Sequence, residues 1–132
     1  MQVIDTDILI DHFHGISAAT EYIASALLAE GELFISVVSV SEMLAGMRPE
    51  EKTATEELLA LFTIQPVGEA IARTAGAYLY EFAKSHHLEL GDCLIAATAK
   101  FLGAELITRN IKHYPMKDVV VRIPFENQRK NK

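Results

Sequence analysis

Five short runs of apolar and β-branched residues, each separated from the next by a stretch with helical spacing, constrain this chain more than any other feature. They are Val3-Ile4, Glu32-Leu33-Phe34-Ile35-Ser36, Thr63-Ile64-Gln65, Glu105-Leu106-Ile107-Thr108 and Val119-Val120-Val121. Strands that alternate with helices cross over and lie parallel, with helices covering both faces of the sheet. A chain of 132 residues, half of them apolar, suffices for one such domain. The expected fold is α/β, a three-layer sandwich around a five-stranded parallel sheet. It occupies residues 1–125 and leaves a polar, frayed end at 126–132.

The intervening segments supply the helices. Asp7–Phe13 forms a small helix ended by Gly15. Ser17 caps the next, which runs to about residue 30 with Ala18, Tyr22, Ala26 and Ala29 on one face. Val38–Met47 has apolar residues at helical spacing and stops before Pro49. Pro49–Phe62 turns Glu50, Glu51, Glu56 and Glu57 outward and Leu58, Leu59, Leu61 and Phe62 inward. Glu69–His86 is the longest helix, with Ala70, Ala77, Leu79, Phe82 and Ala83 available for burial, and Asp92–Leu102 is rich in small residues.

Three carboxylates fall where such a fold should be apolar. Asp5 follows Val3-Ile4, Glu42 lies within Val37–Gly46, and Asp92 opens Asp92-Cys93-Leu94-Ile95-Ala96. No Lys or Arg lies near any of them in sequence. An unpartnered buried carboxylate costs roughly several kcal/mol, comparable to the net stability of a domain. Ligands of open α/β sheets bind at the carboxyl ends of the strands, where Asp5 and Thr108-Arg109-Asn110 fall. If the fold gathers the three acids, a hard divalent cation with oxygen ligands is the simplest compensation. Each acid also has a plainer reading: Asp5 or Asp7 as a helix cap, Asp92 as an N-cap after Gly91, Glu42 with its carboxylate reaching the helix edge.

The remaining chemistry is sparse. One cysteine excludes an intrachain disulfide, and Cys93 reads as a small buried hydrophobe. His12 and His14 face different directions on a helix, and His86-His87 closes one, so zinc is not indicated. Arg109 and Lys112 either meet a substrate phosphate or solvate a loop. No apolar run reaches the roughly 18 residues of a membrane span, and the chain enters a strand directly after Met1-Gln2. A cytoplasmic protein with no membrane partner is expected. The net charge of −6 is uneven, since residues 109–132 carry seven cations against two acids, a local +5.

Taken in order, Val3-Ile4-Asp5-Thr6-Asp7-Ile8-Leu9-Ile10-Asp11, Ser39-Val40-Ser41-Glu42, Gly91-Asp92-Cys93-Leu94-Ile95-Ala96-Ala97-Thr98-Ala99 and Leu106-Ile107-Thr108-Arg109-Asn110 resemble the motifs of PIN-domain ribonucleases. The VapC toxins of bacterial and archaeal toxin–antitoxin pairs are the branch they resemble most. The resemblance runs the whole length of the chain. It implies a PIN fold, Mg²⁺ or Mn²⁺ dependence, endonucleolytic hydrolysis of RNA by a magnesium-activated water, a homodimer, and inhibition by a VapB-type antitoxin. Asp5, Glu42 and Asp92 match the family's metal-binding acids, and Thr6 and Thr108 its supporting hydroxyls, with Arg109 beside them. Many members carry a fourth acid after the fourth strand. This chain has Asn110 there, which can orient a carboxylate but adds no charge, so a one-metal site gains weight.

Other functions remain open on the residues alone. Asp5-Thr6-Asp7 after a first strand suits an aspartyl-nucleophile phosphatase, but no further acid pair follows Asp92. A receiver domain would want a lysine closing the fifth strand, where Val121-Arg122-Ile123-Pro124 stands. The missing fourth acid also admits a catalytically weak PIN-like module that binds RNA or a protein partner.

Overall fold

The computed structural model describes residues 1–125. The expected polar end, 126–132, lies outside the described residues. Strand β1 (Gln2–Ile4) leads into α1 (Thr6–Phe13) and α2 (Ser17–Glu30), and β2 (Phe34–Ser36) into α3 (Val37–Gly46). A 3₁₀ turn (Pro49–Glu51) precedes α4 (Lys52–Leu59) and β3 (Thr63–Gln65). Then α5 (Glu69–His86) and α6 (Leu90–Leu102) precede β4 (Glu105–Ile107), a second 3₁₀ turn (Ile111–His113) and β5 (Val121–Arg122).

All five strands are parallel, in the order β3-β2-β1-β4-β5. The chain moves outward from β1 through β2 to β3, then returns to place β4 on β1's other side. That reversal opens a crevice beyond the carboxyl ends of β1 and β4, the usual ligand position in such sheets. Register across it is fixed by Val3 opposite Leu106 and Ile4 opposite Ile107. The side-chain period of two then divides the core. Val3 and Leu106 face α5 and α6 with Ile71, Tyr78, Ile95 and Ala96. Ile4, Ile35 and Ile107 face the other helices with Ile8, Leu9, Ile23, Met43 and Leu58.

The helical faces differ in detail from the sequence reading. In α2 the buried stripe is Ala19, Ile23 and Ala26, and the N-cap is Ile16, with Ser17 already helical. Tyr22 sits at the stripe's edge because its hydroxyl donates to Gln2 Oε1 at 2.8 Å, a polar demand that full burial would frustrate. In α5, Ile71, Ala75 and Tyr78 are buried while Ala70 and Ala77 are exposed. Bulk decides here, because Ile71 and Tyr78 remove more apolar surface from water than two alanines. Pro49–Phe62 divides into the 3₁₀ turn and α4, and Leu61 lies outside the helix and is exposed. Strand β5 starts two residues later than expected: Val119 is buried under the sheet edge and Val120 faces solvent.

Candidate active site

Asp5 ends β1 and caps α1. Its backbone N–H donates to Ile107 O at 2.9 Å, which continues the β1–β4 ladder and fixes the residue at the crevice floor. Its carboxylate is almost fully buried and takes three donors. Thr6 N–H reaches Oδ1 at 2.7 Å, and the Thr108 and Tyr114 hydroxyls each reach Oδ2 at 2.8 Å. The capping reading and the site reading thus describe one residue.

Burial, reinforced by the neighbouring Asp7 charge, raises the Asp5 pKa from 3.8 to about 7 despite these donors. Asp7 also lies above the usual carboxylate range because of burial. Asp7 does not cap the helix as the plainer reading had it. Its Oδ2 accepts the Arg109 backbone N–H at 3.0 Å and lies 3.3 Å from the Thr108 hydroxyl, while its Oδ1 is buried without a hydrogen-bond partner.

Glu42 departs from expectation, because it is exposed rather than buried in an apolar face. Within α3 only Ser39 and Met43 are buried, and the helix lies along the crevice rim, so apolar spacing did not translate into burial. The carboxylate is nonetheless held. Thr6 Oγ1 donates to Glu42 Oε1 at 2.6 Å, and since a hydroxyl has one proton, the Ser39 hydroxyl 2.8 Å away must donate to Thr6.

Asp92 occupies the first turn of α6, where it suits the helix dipole. It is not the N-cap. Glu89 holds that position, and Asp92 Oδ2 accepts the Glu89 backbone N–H at 3.3 Å, completing a capping box. Its carboxylate is partly exposed, with His113 Nδ1 at 3.9 Å. Gly91 links α6 to α3: a Cβ built there would lie 3.2 Å from Glu42 Oε2. Burial drives the Tyr114 phenol pKa far upward, and the Asp5 and Asp92 charges add to it.

Thr6 therefore joins Asp5 to Glu42, and Gly91, next to Asp92, abuts Glu42, but the three acids do not converge on a common point. Among the described residues, no three His, Cys, Asp or Glu side chains are grouped closely enough to hold a metal ion as they stand. Like charges repel, and each carboxylate instead takes its own hydroxyl or amide donor. Among the described residues, none of the three is paired with arginine. Arg109 instead forks onto Asp11, with Nη2 donating to Oδ1 at 3.1 Å and Nε to Oδ2, and both side chains are largely buried. The phosphate contact considered for Arg109 is thus taken up by Asp11. Asn110 is exposed and joins the network through its backbone N–H, which donates to Thr108 Oγ1 at 3.0 Å.

Sequence reasoning missed Tyr114, Asp11 and His113 as site residues. Asp7 and Asp11 are four apart, one turn on the same face of α1, and that spacing was the available signal. Nothing local marks Tyr114. Cys93 is fully buried with its thiol pKa pushed up to about 11, in keeping with a packing role.

An oxygen-only donor set, an orphaned buried Asp7 Oδ1 and an Asp5 carboxyl forced up by burial and then by its acidic neighbour all describe a crevice short of positive charge. The donor chemistry, though not the spacing of the side chains as they stand, fits a hard divalent cation. The geometry defines an acidic, hydroxyl-lined crevice at the switch point of a parallel sheet, and its family follows from comparison. The PIN domain family matches residues 3–118, so the chain belongs to the PIN-domain family. More narrowly, it is a VapC-type member. It is 44% identical over 117 residues to Ribonuclease VapC10 of Mycobacterium tuberculosis, covering 88% of this chain and 87% of that one. Ribonuclease VapC19 of the same organism is 37% identical over 117 residues, covering 88% and 94%. A toxin–antitoxin complex from Klebsiella pneumoniae superposes with a TM-score of 0.76 at 30% identity, covering 96% of this chain and 100% of that chain.

Proposed function

We propose that the chain is the toxin of a toxin–antitoxin pair, an endoribonuclease that hydrolyses RNA phosphodiester bonds with Mg²⁺ or Mn²⁺ held by Asp5, Glu42 and Asp92. The observation that carries this reading is the buried Asp5 carboxylate, ringed by Thr6, Thr108 and Tyr114 donors beside Asp7, whose Oδ1 is left without a partner. When bound there, the ion would lower the pKa of water and offset charge on the phosphoryl oxygens. The protein's own groups do the rest. Thr108 and Tyr114 fix the Asp5 carboxylate, Thr6 and Ser39 fix Glu42, and the α6 capping box fixes Asp92.

Relatives named as ribonucleases and a neighbour described as a toxin–antitoxin complex support RNA as substrate and a VapB-type antitoxin as partner. A homodimer follows from the family likeness. No helix among the described residues is long and apolar enough to cross a membrane, which suits a cytoplasmic site of action. Total RNA incubated with and without Mg²⁺ tests the reading. Wild type should cut only with metal, and Asp5→Asn or Asp92→Asn should not cut at all while remaining folded. Cleavage retained in either variant would refute the assignment.

A further inference from the structure

Two consecutive residues of the loop after β4 each meet one of the candidate metal acids. The Tyr114 hydroxyl bonds Asp5 Oδ2 at 2.8 Å. His113 brings its ring Nδ1 to 3.9 Å from Asp92 Oδ2. The 3₁₀ turn Ile111–His113 sets both side chains, since His113 N–H donates to Asn110 O at 2.9 Å and Tyr114 N–H to Ile111 O at 3.1 Å. One short turn therefore holds a phenol on Asp5 and an imidazole beside Asp92.

The imidazole does little for Asp92 as it stands. A separation of 3.9 Å is too long for a hydrogen bond. As an ion pair it is weak, because the two side chains are 51% and 29% exposed and solvent screens them. Among the described residues the His113 ring makes no hydrogen bond, whereas His12 and His86 each bond a hydroxyl, of Thr20 and Ser85, at 2.7 Å. Asp92 Oδ2 accepts the Glu89 N–H at 3.3 Å and keeps a further lone pair. Each partner thus has an electron pair to offer.

The spacing suits two ligands of one ion. With bonds of about 2.1 Å, adjacent ligands of an octahedral ion lie roughly 3.0 Å apart and opposite ones roughly 4.2 Å. The observed 3.9 Å falls between these, and rotation of the half-exposed ring adjusts it. No third His, Cys, Asp or Glu is grouped with the pair among the described residues, but an ion that keeps several waters needs only two or three protein ligands. The donor type then selects the metal. Mg²⁺ takes oxygen and sheds water reluctantly, whereas a neutral imidazole is a ligand for first-row transition ions.

Building on the metal-dependent ribonuclease reading, we propose that His113 Nδ1 joins Asp92 on the divalent cation, so that the site selects a first-row transition ion such as Mn²⁺ over Mg²⁺.

Electron spin-echo envelope modulation of Mn²⁺ added to the full chain, in a buffer without nitrogen, reads a coordinated imidazole directly. Wild type should show nitrogen modulation. His113→Gln, which removes the ring and keeps a polar side chain, should bind Mn²⁺ without it. Displacement of bound Mn²⁺ by Mg²⁺, followed by the free-ion resonance, should show the preference for Mn²⁺ falling about tenfold in that variant. His113→Asp places an oxygen donor there, so it should lose the modulation and bind Mg²⁺ more tightly than His113→Gln. Bound Mn²⁺ with no nitrogen modulation in wild type, or modulation and preference both unaltered in His113→Gln, would overturn the proposal and leave the three acids standing. Weaker RNA binding by His113→Gln with both metal readouts unmoved would make His113 a phosphate contact, and would overturn it too. Nitrogen coordination in a wild type that cuts no RNA would count against the nuclease reading alone.

Discussion

The Tyr114 hydroxyl donates to Asp5 Oδ2 at 2.8 Å, joining residues 109 apart in the chain. Both are buried, and the bond favours the ionised carboxylate. Tyr114→Phe keeps the ring and its packing and removes that donor. It should lower cleavage at neutral pH by about tenfold while costing only about 1 kcal/mol of stability. Initial cleavage rates beside a thermal melt check this. Unchanged rates would remove Tyr114 from the site.

Metal-free stability should depend on Asp5 in a defined direction. Its folded pKa, about 7, lies above the ordinary value of 3.8, so the native state holds the proton more tightly than the unfolded chain. Stability from this group is full below pH 3.8 and is lost as pH rises through about 7. Asp5→Asn removes the charge, so in EDTA at pH 8 it should exceed wild type by a few kcal/mol, on the order of the shift converted to energy. The gap should close as pH falls toward 4. Denaturant midpoints measured across that range decide it. A less stable Asp5→Asn at pH 8 would contradict the buried-charge account.

Gly91 offers a separation of stability from activity. Alanine there improves helix propensity by roughly 1 kcal/mol, but its Cβ would press on Glu42 Oε2. The carboxylate is the flexible end of a side chain, so the fold should hold and the melting temperature should stay level or rise. Metal affinity and cleavage should fall several-fold. Wild-type metal affinity in Gly91→Ala would show that the position of Glu42 is not critical.

The sheet was legible because β-branched runs and parallel-sheet burial report on each other, and residues such as Ile4 and Ile107 are buried whichever helix covers them. Helix faces were less legible. In α5 small alanines match several helical stripes, and only the bulk of Ile71 and Tyr78 decides which stripe turns inward. At the site, Asp5 announced itself by interrupting an apolar strand end. Glu42 was singled out as an acid in an apolar helical face, yet it is exposed, because only Ser39 and Met43 of its helix are buried. Tyr114 and the Arg109–Asp11 pair stayed hidden because their partners lie about a hundred residues away in sequence.

That ion pair holds the loop after β4 against α1. Asp11 is almost fully buried and Arg109 mostly so. Asp11→Ala would leave the guanidinium uncompensated and should cost about 3–5 kcal/mol. Because Arg109 N–H also bonds Asp7, cleavage should fall as the loop loosens. Unfolding curves for Asp11→Ala would check the cost, and a loss below about 1 kcal/mol would show the pair to be incidental.

The central claim is that Asp5, Glu42 and Asp92 together take up a divalent cation in the crevice beyond the carboxyl ends of β1 and β4. Paramagnetic broadening of amide signals on titration with Mn²⁺ tests it most directly. Signals of Asp5, Thr6, Glu42, Asp92 and Thr108 should vanish first, at one saturable site lost in Asp5→Asn and Asp92→Asn. Broadening centred instead on the exposed acids of α4, or unchanged in both variants, would contradict it.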